Sequence, residues 1–294
     1  MPSIAVKEST DLDPITNLFK EHSKDPFTYL ADTHLFRMFS RLKSFKAFVA
    51  EAGGQVVGCI YTMRYMYDYG WIGGLLVHKG FRGMGVGRML LEEALRFLRS
   101  EYVYLFVEPE NVAARRLFED VGFNAIYRRL NYRVNVPFSE SMRKCDDIRY
   151  DVEWDELTTA LGFKERCGVV SMGYYPIKVT EPIFEELKNE GKILKCGSVL
   201  TVVENSYNIN VNGYTFTFND YVLKELSVPP REKIVEVNPF YINAQALDLV
   251  KLINHLSVEG KVIVWTHQED RVAKSLPRKG AFAALVMELF PKMR

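Results

Sequence analysis

Apolar positions in the first half of the chain alternate between strand and helix rhythms. Residues 3–8 read as a short strand. DLDPITNLFKEH follows as a helix start, with Asp11 or Asp13 as the cap and Pro14 in the first turn. FTYLADTHLFRMFSRL carries apolar residues at helical spacing. FKAFVAEAGGQVVGCIYTMRY reads as two strands joined at Gly53-Gly54, a hairpin signal. WIGGLLV is apolar enough to predict a buried strand, and FRGMGVG is a glycine-rich turn. In RMLLEEALRFLRS, Leu90, Leu91, Ala94, Phe97 and Leu98 fall on one helical face. YVYLFVE predicts another buried strand. NVAARRLFEDVGF predicts a helix capped by Asn111 and stopped at Gly122, and AIYRRLNYRVNV closes as a strand.

After Pro137 the polar run FSESMRKCDD reads as a linker. Beyond it the first rhythm returns. EYVYLFVEPENVAARRLFEDVGF (101–123) lies over GKVIVWTHQEDRVAKSLPRKGAF (260–282) without a gap, at an offset of 159 (270 − 111). The same offset carries Leu90, Leu91, Ala94 and Phe97 onto Leu249, Val250, Ile253 and Leu256. Matched positions fall on the apolar face, which is what an internal repeat requires. The second copy departs in two places. Its strand IVEV leads into NPFYINAQALDL with no glycine loop, and Pro277 falls inside the last helical pattern. The expected architecture is two domains, residues 1–138 and 139–294.

Composition narrows the class without naming it. The chain has 294 residues, 48% hydrophobic and 26% charged, enough for a sizeable core. Lys and Arg total 38 against 37 for Asp and Glu, so net charge points to neither nucleic acid nor an acidic membrane surface. No apolar run is long enough to span a bilayer, and the polar N-terminus lacks the apolar core of a signal peptide. A cytoplasmic protein is expected. Cys59, Cys145, Cys167 and Cys196 show no metal-ligand spacing and are expected as four reduced thiols, with no metal bound.

The candidate chemistry sits at Arg82–Gly87. Glycines let backbone N–H groups turn towards one point, the helix that follows adds unpaired donors, and Arg82 and Arg88 add charge. Together these predict a pyrophosphate cradle. A P-loop would need Lys and Ser or Thr where Val86 and Gly87 stand. A Rossmann site would want GxGxxG near the start of its βαβ unit, whereas here GxGxG follows a helical pair and an antiparallel hairpin.

The run LLVHKGFRGMGVGRMLLEEAL resembles the acetyl-CoA motif of the GNAT acetyltransferases, a strand ending L-x-V followed by [RQ]-x-x-G-x-[GA], here Arg82, Gly85 and Gly87. VEPENVAARRLFEDVGF is similar to that family's second motif through Asn111, Ala114, Leu117 and Gly122-Phe123, and FVAEAGGQVVG resembles its hairpin. The resemblance spans roughly residues 1–137. It implies an α/β (α+β) GNAT fold with a mixed central sheet, helices on both faces and, with the second half, a tandem arrangement.

It also implies acetyl-CoA as cosubstrate, held by Leu76, Val77, Arg82, Gly83, Met84, Gly85, Val86, Gly87, Arg88, Asn111, Ala114 and Phe118. The implied acceptor is a small-molecule amine or a protein or peptide amine. Two family features are missing. The glutamate expected three residues before the L-x-V valine is Gly74, and the tyrosine expected on the last helix is Phe118. The remaining catalytic candidates are Glu108, Tyr104 and His78. Two functions follow: acetyl transfer to an amine, or a non-catalytic acyl-CoA-binding sensor or interaction protein.

Overall fold

A computed structural model describes residues 3–22, 37–135, 145–173, 175–211, 214–242, 246–257, 261–268, 270–274, 276 and 279–289. Strands β1 (Ile4–Glu8), β2 (Phe45–Ala52), β3 (Gln55–Tyr65) and β4 (Tyr69–Val77) form an antiparallel meander. Gly53 and Gly54 turn the β2–β3 hairpin at φ +56° and +79°, the left-handed pair that a two-residue turn of this twist demands. Helix α1 (Asp13–His22) starts where Asp11 accepts the Asp13 N–H at 3.2 Å, and it buries Ile15, Leu18 and Phe19.

Helix α2 (Val86–Leu98) crosses from β4 to β5 (Val103–Val107). It buries Val86, Leu90, Leu91, Ala94 and Leu98, and Phe97 is half-buried against Phe48. Truncating Leu90 or Leu91 to Ala would cost about 2–5 kcal/mol, the usual range for emptying a fully buried leucine site. Helix α3 (Val112–Val121) has both caps the pattern requires. Asn111 Oδ1 accepts from the Ala114 N–H at 3.2 Å, and Gly122 closes the helix at φ +111°. The long strand β6 (Phe123–Asn135) follows.

The rest of the chain adds α4 (Trp154–Thr159), the hairpin β7 (Val169–Met172) and β8 (Tyr175–Lys178), α5 (Glu181–Asn189), β9 (Ile193–Cys196), β10 (Val199–Val211), β11 (Tyr214–Asn219), α6 (Asp220–Leu226), β12 (Glu232–Tyr241), α7 (Ala246–Leu256), β13 (Lys261–His267), α8 (Arg271–Lys274) and β14 (Lys279–Leu289). One mixed sheet of 12 strands runs β1-β2-β3-β4-β5-β14-β6-β13-β12-β10-β11, with β9 on β10. Helices pack on both faces. One apolar cluster lies beneath α2 and α3, and a larger one joins α1 to the β7–β8 hairpin, α5 and α6.

The centre of the sheet joins the two halves of the chain. β4 and β5 are parallel, and so are β12 and β13. The last strand of each half leaves its own parallel pair: β14 lies on β5, β6 lies on β13, and β6 and β14 lie on each other. Tyr127 and Val286 are register partners and stand 159 positions apart (286 − 127), the offset of the sequence repeat. The Arg129 guanidinium lies 3.7 Å from the Phe106 ring centre and 4.6 Å from that of Trp265, two residues also related by this offset. The buried cation is thus sandwiched between one ring from each half of the chain.

Two expectations are corrected. Cys145 and Cys196 form a disulfide, leaving buried Cys59 and exposed Cys167 as the free thiols. Fifty-one residues separate the pair, so only tertiary folding brings the sulfurs together. β4 is buried at Tyr69, Gly70 and Ile72, but Gly73–Val77 are only half-covered, because β5 pairs with β4 no further than Ile72. Pro277 and most of FTYLADTHLFRMFSRL and of the 138–147 linker lie outside the described residues.

Candidate functional site

The parallel pairing of β4 and β5 stops at Ile72↔Leu105, and beyond it the strands part. The end of β4 is shaped by a bulge against β3, where two β4 residues, Gly74 and Leu75, face Ile60 alone. Gly74 adopts φ +60°, and a Cβ there would lie 2.0 Å from the Tyr61 ring. A side chain at the position where the family resemblance seeks a glutamate would therefore be strained and would have to displace the Tyr61 ring. At Gly73, a Cβ would strike the Trp71 indole at 2.2 Å, so that ring lies over the first residue of the opening.

The chain then turns into the glycine loop. His78 Nδ1 accepts from the Gly80 N–H at 3.0 Å, and Arg82 Nε reaches back to the Val77 carbonyl at 3.1 Å. Gly83 and Gly85 sit at φ +76° and +80°, and a Cβ at either would enter open space. Gly85 is the left-handed N-cap of α2 and offers no side chain to satisfy the helix start. The first-turn N–H groups of α2 thus face an open cradle with a partial positive charge. Exposed Met84 lies on the loop. Arg88 pairs with Glu92 at 2.9 Å, both about half-exposed. At Gly87 a Cβ would come 3.1 Å from Leu117 and 3.7 Å from Val77, so this glycine lets α2, α3 and the end of β4 meet.

The candidate catalytic residues separate. His78 is a local cap. Glu108 follows β5, half-buried, and its carbonyl accepts from the Asn111 N–H at 2.9 Å. Asn111 and Ala114 are joined in the α3 cap. Phe118 is buried in the cluster under α2 and α3, its ring 5.9 Å from that of Phe123. Tyr104 is fully buried and donates to Glu288 Oε1 at 2.6 Å. Burial pushes the Tyr104 phenol far above its ordinary range, and the Glu288 carboxylate pushes the same way. Glu288 is not among the residues that the sequence singled out, although one signal was available: it is the lone acid in the apolar run ALVMELF.

The corresponding opening of the second half is filled. β12 and β13 also part after Val237↔Val264. There, fully buried Arg166 donates through Nε to the Gly162 carbonyl at 3.0 Å and through Nη1 to the Trp265 carbonyl at 3.2 Å. Its Nη2 donates to the carbonyl of Pro239. One guanidinium therefore bridges both parted strands. Beside it the Asn238 amide pairs with the Ser171 backbone through two 2.8 Å bonds. Burial pulls the Arg166 pKa down, opposed by nearby Tyr127 and Asp270. A Cys145–Asp147–Cys196 cluster could suggest a metal, but its sulfurs are bonded to each other and cannot serve as thiolate ligands.

Comparison with known proteins places the first half. Residues 12–123 match the model of the "Acetyltransferase (GNAT) family". N-alpha-acetyltransferase RimI of Mycobacterium tuberculosis is 37% identical over 102 residues, covering 32% of this chain and 63% of the relative. N-alpha-acetyltransferase 30 of Saccharomyces cerevisiae is 36% identical over 86 residues, covering 27% and 49%. The chain therefore spans less than two thirds of either relative. A solved protein from Thermoplasma acidophilum, assigned as an acetyltransferase, covers 98% of this chain and 100% of its own, at 15% identity and a TM-score of 0.49. The ribosomal-protein-S18-alanine N-acetyltransferase of Escherichia coli covers 48% and 86%, at 23% identity and a TM-score of 0.37.

Proposed function

We propose, from the premise that residues 12–123 of this chain belong to the GNAT acetyltransferase family, that the chain transfers an acetyl group from acetyl-CoA to an amine. The observation that carries this reading is the open cradle at Gly83 and Gly85, set at the end of a strand whose parallel partner has just parted from it. The N–H groups of Gly83–Arg88 would hold the pyrophosphate, with Arg82 and Arg88 near it. The freed backbone of Leu76 and Val77 would pair with the pantetheine arm. Asn111, Ala114 and Phe118 would line its other side. Acetyl-CoA held there would supply an acyl group already activated as a thioester.

What remains for the chain is to orient the amine, take up its proton and exclude water. The acceptor is a small-molecule amine or a protein or peptide amine. Two relatives are N-alpha-acetyltransferases by name, which favours the α-amine of a peptide. No metal has a role in this scheme. We further propose that residues 1–138 and 139–294 are tandem copies and that the second has lost its cofactor slot to Arg166. We place the protein in the cytoplasm, and among the described residues no helix is long and apolar enough to cross a membrane.

Incubating the protein with acetyl-CoA and a panel of amines, while following free thiol, tests this reading. Thiol release that depends on the amine supports it. Binding of acetyl-CoA without release from any amine would favour the sensor reading, to which Gly74 and Phe118 lend weight by withholding the two familiar proton carriers.

A further inference from the structure

A row of three side chains crosses the sheet of the first half just before its strands part. β4 contributes Trp71, β5 contributes Tyr104 and β14 contributes Glu288. Trp71 pairs in register with Tyr104, and Tyr104 with Glu288. Register partners share a face, and here it is the face opposite α2 and α3. Two polar atoms of the row are buried without a hydrogen-bond partner among the described residues: the indole Nε1 of Trp71, a donor, and Oε2 of Glu288, an acceptor. A buried carboxylate with an unused oxygen is costly to keep, and such groups call for a ligand or a role. The indole also reaches over Gly73, the first residue of the opening.

We infer that Glu288 receives the ammonium of the acceptor and takes its proton, with Tyr104 holding the carboxylate in position. This rests on the acyl-transfer reading and deepens it. The ligand class is a primary ammonium, which brings the N–H donors that Oε2 lacks and a cation that suits the faces of Trp71 and Tyr104. The second half thereby completes the site of the first, since β14 is the strand placed against β5. In the step, an ammonium N–H bond breaks and its proton passes to Glu288 Oε2. The freed lone pair forms the C–N bond to the thioester carbon, the C–S bond breaks, and sulfur leaves with the electron pair. Of the two protons the nitrogen loses, one ends on the thiolate and one in solvent, and Glu288 returns to carboxylate. Nothing is oxidised or reduced.

The setting makes the carboxylate a better proton acceptor than an exposed one. Burial raises the Glu288 pKa above its ordinary value, while the Tyr104 hydroxyl and Lys178 on β8 pull it down. The other titratable groups facing it are Tyr65, Tyr69 and Tyr102, and burial raises the pKa of each. These tyrosines are pushed further from ionising, so they add no charge beside Glu288 in acid.

The test compares wild type, Glu288→Gln and Tyr104→Phe, using an amine that supports thiol release. Glu288→Gln should lower kcat/KM by about 100-fold or more and abolish the acid limb, leaving the Kd for acetyl-CoA within about 3-fold. Tyr104→Phe should cost about 10-fold and move the acid limb. A second readout needs no turnover. The infrared carboxyl bands that Glu288→Gln removes from the protein without acetyl-CoA should shift when the amine is added. Glu288→Gln activity within about 3-fold of wild type with an unchanged pH profile would overturn the inference, as would bands indifferent to the amine. If Glu288→Gln does not fold, an unmoved profile in Tyr104→Phe overturns it equally. Wild type that binds acetyl-CoA and releases no thiol with any amine would instead remove the acyl-transfer reading, and this inference with it.

Discussion

The two halves of this protein each open a pair of parallel strands, and they fill the openings in opposite ways. In the first half the strands part at Gly73-Gly74 and lead to a glycine loop with open space around it. In the second they part at Asn238-Pro239, and the space holds a guanidinium bonded to three backbone carbonyls. Parted strands leave backbone groups that need partners. A structure can satisfy them permanently, with its own side chain, or leave them for a ligand. The filled opening shows the first solution within the same sheet, so the open one is not a forced consequence of the fold. What separates them is local sequence: glycines that remove side chains in one half, and an arginine from the 160–168 loop that supplies one in the other.

The largest expected effect comes from breaking the filled opening. Arg166→Ala strands the carbonyls of Gly162, Pro239 and Trp265 in a cavity, at about 1–3 kcal/mol per orphaned group. Urea unfolding should show a loss of about 3 kcal/mol or more, the sum of those orphaned groups at their lower bound. A loss below about 1 kcal/mol would mean the guanidinium is incidental. Acetyl-CoA stoichiometry, measured by calorimetry on the unmodified chain, should be one site and not two.

Next in size is the open loop. Gly85→Glu puts a carboxylate where the pyrophosphate would sit and forces a side chain into φ +80°, while nothing nearby obstructs it. Acetyl-CoA affinity should fall by about 100-fold or more, with only about 1 kcal/mol lost in stability from the strained backbone. Unchanged affinity would move the phosphate site elsewhere.

A smaller effect should appear in stability against pH. Burial raises the pKa of Glu288 from its ordinary 4.5, so the folded state keeps a proton that the unfolded state has lost. The cost of this burial is absent below pH 4.5, grows as pH rises above it, and levels off beyond the folded pKa. Glu288→Gln carries no such cost. The melting temperature of the variant, relative to wild type, should therefore climb from pH 4.5 towards neutrality. A constant gap would show that Glu288 titrates normally.

The smallest effect concerns Phe118, buried beside Phe123. If the thiolate leaves without an acid here, Phe118→Tyr should fold, keep acetyl-CoA affinity and change turnover by no more than a few-fold. A gain above about 100-fold would identify a needed acid that this chain has lost.

Local chemistry was legible in the residues themselves. The Gly53-Gly54 hairpin, the Asn111 cap, the Gly122 stop, the buried face of α2 and the glycine turn before it are all decided within a few positions of the chain, by backbone sterics and helical period. So was the motif resemblance of the first half, whose match to the GNAT family covers residues 12–123. What only the tertiary structure decided lies between distant segments. Strand β14 enters between β5 and β6, Glu288 meets Tyr104 across 184 positions, Cys145 meets Cys196, and Arg166 closes the second opening by bonding to Trp265, 99 positions away. Glu288 stood out locally as the lone acid of its strand, but none of these pairings has a local signal, because strand order and buried partnership are chosen by the energy of the whole sheet. Period and spacing report which face of an element is apolar, and leave open which element that face will meet.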